Sequence, residues 1–283
     1  MHFNDDTPLL GNALEREAQL YLAQRNAEAR LAPTTIMVAD FEYAWDLAAF
    51  EAYLVAEGRD ARKKPLWPFH HVAAASWLIM RFEPGKPVPL ISGPVVVAAD
   101  AASERDMIET LFADMMAEPA AMLTTWGGEA KDLAVIRRCA ATFDLLLPPQ
   151  LRNGSPHCPM RLDLCRATAV QVDAAHLPEL AAAVSIPAKP SPSRSIGDLV
   201  EQGRWPEVRE QVLADVLTTS VLAVRHLQSH GRITCEVPAT VAAIGEAAAS
   251  AVPASAFTRR TFAPWARAAA VRAKLRHPVL IPS

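Results

Sequence analysis

Three apolar stretches, 34–41, 72–82 and 89–98, come before any regular alternation of strand-like and helix-like segments in this chain. Strands gathered early, with helices interleaved later, predict an α/β domain built on a mixed sheet. The first stretch, TTIMVADF, is β-branched and apolar and runs into acids. A helix is expected over 46–57 and a proline-broken loop over DARKKPLWPFHH. Pro94 marks the third stretch as an edge or bulged strand, because proline cannot donate to a ladder. A helix capped by Ser103 (103–117), a short strand (121–126) and a helix (129–143) follow. After a Pro/Gly loop, a short 160–164 segment, a weakly periodic region reaching 185 and the loop IPAKPSPSRS come a short helix (196–202) and a long one (205–228). Two alanine-rich helices, 237–250 and 258–275, close the chain. An amphipathic helix is expected over 12–31. The expected organisation is an N-terminal helix (1–31), a main domain (32–231) and a helical basic extension (232–283).

Composition excludes several classes. With 283 residues, 51% of them hydrophobic, the chain can bury a core, and its 21% charged residues do not describe a disordered protein. The net charge of −3 gives no overall attraction to nucleic acid, but the charge is uneven. From residue 254 onwards there are six cations and no carboxylate, which leaves 22 cations against 31 acids in the rest. Cys139, Cys158, Cys165 and Cys235 show no zinc-site spacing and are expected to be reduced thiols. The N-terminal residues lack a signal-peptide profile, and no apolar run approaches the roughly 18 residues of a membrane span. A soluble cytoplasmic protein with no membrane partner is the expectation.

Chemistry enters at Asp40-Phe41-Glu42. Side chains two apart on a strand share a face, so both carboxylates point into one space while Phe41 points to the opposite layer. Paired acids repel unless a cation sits between them, and a hard divalent ion such as Mg²⁺ suits oxygen ligands. Next, TTWGGEAKDL runs a strand through a Gly-Gly turn into a helix that carries Asp132 in its first turn; complementing the helix dipole would explain an acid there equally well. Finally, Asp215 interrupts the apolar stripe of the long helix, where an inward acid needs a partner.

In this order the three segments resemble the motifs of the DnaQ/RNase H-like (DEDD) exonuclease superfamily. The nearer resemblance is to predicted 3′–5′ exonucleases related to the proofreading domain of family B DNA polymerases. VADFEY is similar to motif I (Asp40, Glu42), TWGGEAKDLA to motif II (Asp132) and QVLADVLTT to motif III (Asp215). RLDL at 161–164 and IPAK at 186–189 match a D-L dipeptide and an I-P-x-K loop between motifs II and III. The resemblance spans roughly residues 34–230. It implies an RNase H-like sheet, an antiparallel meander followed by parallel strands. It also implies two Mg²⁺ or Mn²⁺ ions, and hydrolysis of single-stranded DNA or RNA from a 3′ end. Asp40 would bridge the metals, Glu42 and Asp215 would hold the water-activating ion, and Asp132 would lie in the outer shell or on the second ion.

The departures from the family pattern are specific. The motif III tyrosine is Gln211, and the alternative histidine position is Glu210. Glutamine can orient a water but cannot take its proton. Gln211 is expected to look into the acidic site, four residues before Asp215 on one helix face. Glu210 and Glu207 are the substitute bases to consider. In motif II, Gly127, Lys131 and Ala134 replace the family's Asn, Phe and Pro. The alternative expectation is a catalytically impaired exonuclease-fold protein that binds nucleic acid or a protein partner. Trp126 and Gly127 are expected to contact substrate, with a base stacking on Trp126, against the equal reading of Trp126 as a buried core residue. Lys189 would meet a phosphate, against the plainer reading of a solvated loop lysine. Asp163 is expected to be a strand-end hydrogen-bonder beside the site. His70 and His71 are expected in a loop, where paired histidines are more often structural than functional.

Overall fold

The computed structural model describes residues 15–20, 34–64, 66–168, 175–190 and 196–276. Five strands, β1 (Thr34–Trp45), β2 (His70–Phe82), β3 (Leu90–Ala98), β4 (Met122–Thr125) and β5 (Arg161–Asp163), make one sheet in the order β3-β2-β1-β4-β5. The first three form an antiparallel meander. β4 then joins the other side of β1 in parallel, and β5 joins β4 in parallel. This is the expected mixed sheet, an antiparallel meander followed by parallel strands, and β1, the strand that carries Asp40 and Glu42, lies at its centre.

The period-two pattern of β1 sorts its side chains between two cores. Ile36 and Val38 face the side covered by the long helix α5 (Trp205–Ser229), where Leu213, Val216, Leu217 and Val221 pack. Met37, Ala39 and Phe41 face α2 (Glu104–Ala117) and α3 (Asp132–Thr142). Asp40 and Glu42 continue the even-numbered face, which aims both carboxylates at α5. The α2 start has the expected Ser103 cap, completed as a capping box with Asp106.

The structure extends or corrects several boundaries. β1 runs on to Trp45, α1 (Leu47–Glu57) follows with Asp46 as its cap, and His70–His71 belong to β2, paired with Trp45 and Ala44. His70 stacks with Tyr43 at 5.2 Å between ring centroids and meets Trp45 in a tilted contact at 3.8 Å, and burial with nearby Lys131 and Arg138 pushes its pKa down to about 4. The histidine pair is therefore a strand feature and not a loop one. Pro94 does lie in an edge strand, close to an irregularity in the β2–β3 register. The helix expected from 129 begins at Asp132, after a 3₁₀ turn at Gly128–Ala130. A short helix α4 (Leu177–Ala183) occupies the region of weak periodicity, which is too short to carry a helical repeat.

At the C-terminal end, α6 (Val237–Ala251), a π-helical turn (Thr258–Phe262) and α7 (Ala263–Arg276) are helical as expected. Val241, Ile244, Ala248, Phe262 and Ala266 join the same core as the α5 face of the sheet. Of the helix expected over 12–31, residues 15–20 are helical and the rest lies outside the described residues. Cys139, Cys158 and Cys165 are buried and Cys235 half-buried, all as free thiols. Among the described residues, no helix is long and apolar enough to cross a membrane.

Candidate functional site

Asp40 and Glu42 on β1 and Asp215 on α5 each present a carboxylate oxygen within 4.8 Å of the others. Two come from one strand face and the third from the helix packed against that face, so the pairing of elements in the core dictates the cluster. The Lys189 ammonium enters it at 2.6 Å from Asp215 Oδ2 and 3.8 Å from Glu42 Oε1. The Lys189 and Asp215 side chains are each only 6% exposed, and Glu42 keeps 12%. Lys189 is thus a buried counter-charge and not a solvated loop lysine.

Electrostatics show a cluster short of positive charge. Burial first, then the charges of Asp215, Glu42 and Asp132, hold the Asp40 carboxyl well above its ordinary range, and Lys189 only partly offsets them. Glu42 is pushed up to about 7, chiefly by burial and against the pull of Lys189. Burial also raises Asp215, again opposed by Lys189. Burial would lower Lys189, but the charges of Asp215 and Glu42 outweigh it and the group is raised. Asp215 Oδ1 is buried without a hydrogen-bond partner. Leaving such an acceptor unpaired costs about 1–3 kcal/mol. Three convergent carboxylates, one oxygen of them orphaned, fit a hard divalent cation.

Asp132 lines the same cavity, of about 400 Å³, but stands outside the group of three. Tyr43 Oη donates to its Oδ1 at 2.9 Å, and burial pushes Asp132 up to about 6 despite Lys131 and this hydrogen bond. Tyr43 follows Glu42 directly, past a bulge in β1. No sequence signal singles it out, because its role depends on a contact 89 residues away.

The turn before Asp132 is held from β5. Asp163 Oδ1 accepts from the Gly127 N–H at 2.9 Å, and its Oδ2 accepts from Glu129 N–H at 3.0 Å. Cys165 and Arg166 N–H also donate to Asp163. Two residues earlier, Arg161 pairs with Glu129 at 2.6 Å. Gly127 sits at φ 74, and a Cβ on Gly128 would stand 2.5 Å from Thr125 Oγ1, so both glycines are required by geometry. Asp163→Ala leaves those N–H groups unpaired and should cost roughly 3 kcal/mol. In thermal denaturation that appears as a Tm lower by about 6–12 °C; an unchanged Tm would mean the clamp is dispensable.

Trp126 and Gly127 also line the cavity, as does His176 at the start of α4. His176 is the one imidazole there among the described residues. Sequence reasoning passed it over because it lies in the weakly patterned region.

Gln211 is placed differently from expectation. It is 1% exposed and lines a second cavity with Pro190, Glu207, Glu210 and Phe257, not the acidic one. Lys189 lines the acidic cavity and Pro190 the second one, so the IPAKP segment borders both. Glu210 accepts from Ser255 Oγ and from the N–H groups of Ala256 and Phe257, and Glu207 pairs with Arg204 at the surface. Neither carboxylate reaches the acidic cavity, so neither serves there as a base.

No family model matches the chain, and no curated protein matches it. Among solved structures it is similar to a family B DNA polymerase from the archaeon Pyrobaculum calidifontis. That match covers 80% of this chain and 27% of the polymerase, at 14% identity and a TM-score of 0.47. E. coli exonuclease I in complex with a dT13 oligonucleotide matches 70% of this chain and 42% of its own, at 12% identity and a TM-score of 0.39. Exonuclease I from Methylocaldum szegediense matches with the same coverage at 15% identity and a TM-score of 0.33. The chain spans less than half the length of each of these proteins.

Proposed function

We propose that this protein is a metal-dependent 3′–5′ exonuclease acting on single-stranded DNA or RNA. The observation that carries the reading is the cluster of Asp40, Glu42 and Asp215, with a buried unpartnered oxygen, in an open cavity beside the central strand. Bound divalent cations, Mg²⁺ or Mn²⁺, would supply charge neutralisation at the phosphodiester and a more acidic water. Asp40, Glu42 and Asp215 would hold the cation charge, and Asp132 would act from the rim, with its orientation fixed by Tyr43. Trp126 offers an aromatic face to a base, and the backbone at Gly127 lets a strand approach closely.

With a cation on Asp215 and Glu42, the Lys189 ammonium would be released from them and could pair with the scissile phosphate in the same cavity. Water attack forms a P–O bond as the P–O3′ bond breaks, and the water's proton must leave. His176 is the side chain proposed to receive it. His176→Ala should lower kcat by about 10²-fold with little change in KM; an equal fall in a fold-sensitive readout such as Tm would assign it a structural role instead.

The test is hydrolysis of 5′-labelled single-stranded DNA and RNA with Mg²⁺ or Mn²⁺. A ladder shortening from the 3′ end supports the proposal. Binding without cleavage supports a non-catalytic nucleic-acid-binding protein, the reading favoured by the displacement of Gln211 from the acidic cavity.

A further inference from the structure

From residue 254 onwards the chain has six cations and no carboxylate, against 22 cations and 31 acids in the rest. The structure shows which side of α7 takes up this charge. Its inner face is spent on packing: Ala263 and Ala266 lie buried against Gly245 of α6, where an added Cβ would stand 3.2 Å from Ala266 Cβ. Its outer face is left to solvent. Arg267, Val271 and Lys274 follow one another at i, i+4 and i+7, a single helix face, with Arg272 on its flank, and all four are exposed. Among the described residues, none of the ion pairs includes Arg267, Arg272 or Lys274. Glu236 at the α6 cap and Glu246 within α6 are exposed and pair with none of them. The row of cations therefore makes no ion pair that would hold the fold together.

Position and charge indicate the partner. Trp265 Nε1–H of α7 donates to Ser185 O at 3.0 Å. Ser185 leads into the loop that carries Lys189, and it follows α4, whose start at His176–Pro178 lines the acidic cavity. With seven residues, α4 is about 10 Å long, so α7 is fastened about one short helix away from that cavity. A row of cations matches a polymer with one anion per unit better than it matches a single charge. A membrane surface fits less well, because Val271 and Leu275 are the only large apolar groups that α7 exposes among the described residues. We propose that the outer face of α7 is a docking track for the phosphate backbone of single-stranded nucleic acid, with Arg267, Arg272 and Lys274 pairing with phosphates of a strand whose end lies in the acidic cavity. Arg260 is not part of the track, since Glu207 and Glu210 line the cavity beside it. The inference rests on the nuclease reading for the choice of a single strand, but the C-terminal extension, and not the acidic cluster, builds the site.

The experiment titrates the full chain with labelled oligo(dT) in EDTA, where no hydrolysis occurs, at several salt concentrations. The triple variant Arg267→Gln/Arg272→Gln/Lys274→Gln alters exposed side chains only and should keep the wild-type Tm. Each phosphate contact on a single strand contributes about 0.7 to the slope of log K against log salt, so the variant's slope should be shallower by about 2. Its affinity near 0.1 M salt should fall by at least about 10-fold. The charge-keeping variant Arg267→Lys/Arg272→Lys/Lys274→Arg should retain the wild-type slope. Equal slopes for wild type and the glutamine variant, or no binding of oligo(dT) by wild type, overturns the proposal. Binding to phosphatidylserine vesicles but not to oligo(dT) overturns it in favour of a membrane surface. The two readings separate cleanly. Hydrolysis with an unchanged salt slope removes the track and leaves the nuclease. A shallower slope in the glutamine variant without hydrolysis under Mn²⁺ does the reverse.

Discussion

Asp40→Asn is expected to abolish metal-dependent hydrolysis, a loss of at least about 10³-fold, while making the metal-free protein more stable. Asp40 is the carboxylate that three other acids press on at once. Removing its charge removes the shared ligand of the proposed metal pair and relieves repulsion when no metal is present. The sign with pH follows from linkage. Asp40, Glu42 and Asp132 all have folded pKa values above their free values, the last two at about 7 and about 6. Between their free and folded pKa values the folded chain holds more protons than the unfolded one, so stability falls as pH rises. The contribution is complete below about pH 4 and lost by the time pH has passed the folded values. In EDTA, wild type and Asp40→Asn should therefore melt alike in acid. The variant should melt roughly 3–6 °C higher near pH 8. Activity surviving the substitution, or a gap that narrows as pH rises, would remove Asp40 from the centre of the site.

Much of this arrangement was legible in sequence for a simple reason. Alternation along TTIMVADFEY sets which core each residue enters, and an Asp inside the apolar stripe of a long helix must face something. Together these place Asp40, Glu42 and Asp215 in one layer, and the meander-then-parallel order of the strands puts β1 in the middle. What stayed hidden depends on contacts between distant segments. Tyr43 reaches Asp132 only because β1 continues beyond Phe41, and His176 arrives on a helix too short to leave a periodic trace. Gln211 shares a helix face with Asp215, as its spacing requires, yet it lines a different cavity, Pro190 beside Gln211 and Lys189 beside Asp215. No local pattern encodes how a loop will lie against a helix. Lys189 shows the same limit: its spacing matches a motif, but its burial among the acids comes from where the loop lies.

Lys189→Met should have the largest effect on stability of any single change here, and the change should be reversible by metal. The ammonium lies 2.6 Å from Asp215 and is the cation embedded among three buried carboxylates. Breaking one side of a buried ion pair leaves the other side uncompensated and costs about 3–5 kcal/mol. In EDTA that corresponds to a Tm lower by roughly 6–20 °C. Methionine fills the apolar part of the space that the lysine stem occupied, so lost packing accounts for little of it. Millimolar Mn²⁺ should then stabilise the variant more than the wild type, because a ligand that binds only the folded state raises its stability in proportion to its affinity. In the wild type the incoming ion must first displace the ammonium from Asp215, whereas in the variant the carboxylates are already free. A larger Mn²⁺-induced rise in Tm for Lys189→Met than for wild type is therefore the expected signature, and it needs no catalytic turnover. A variant destabilised in EDTA but indifferent to Mn²⁺ would mean that the three carboxylates serve Lys189 alone, as a structural ion-pair cluster with no metal to hold.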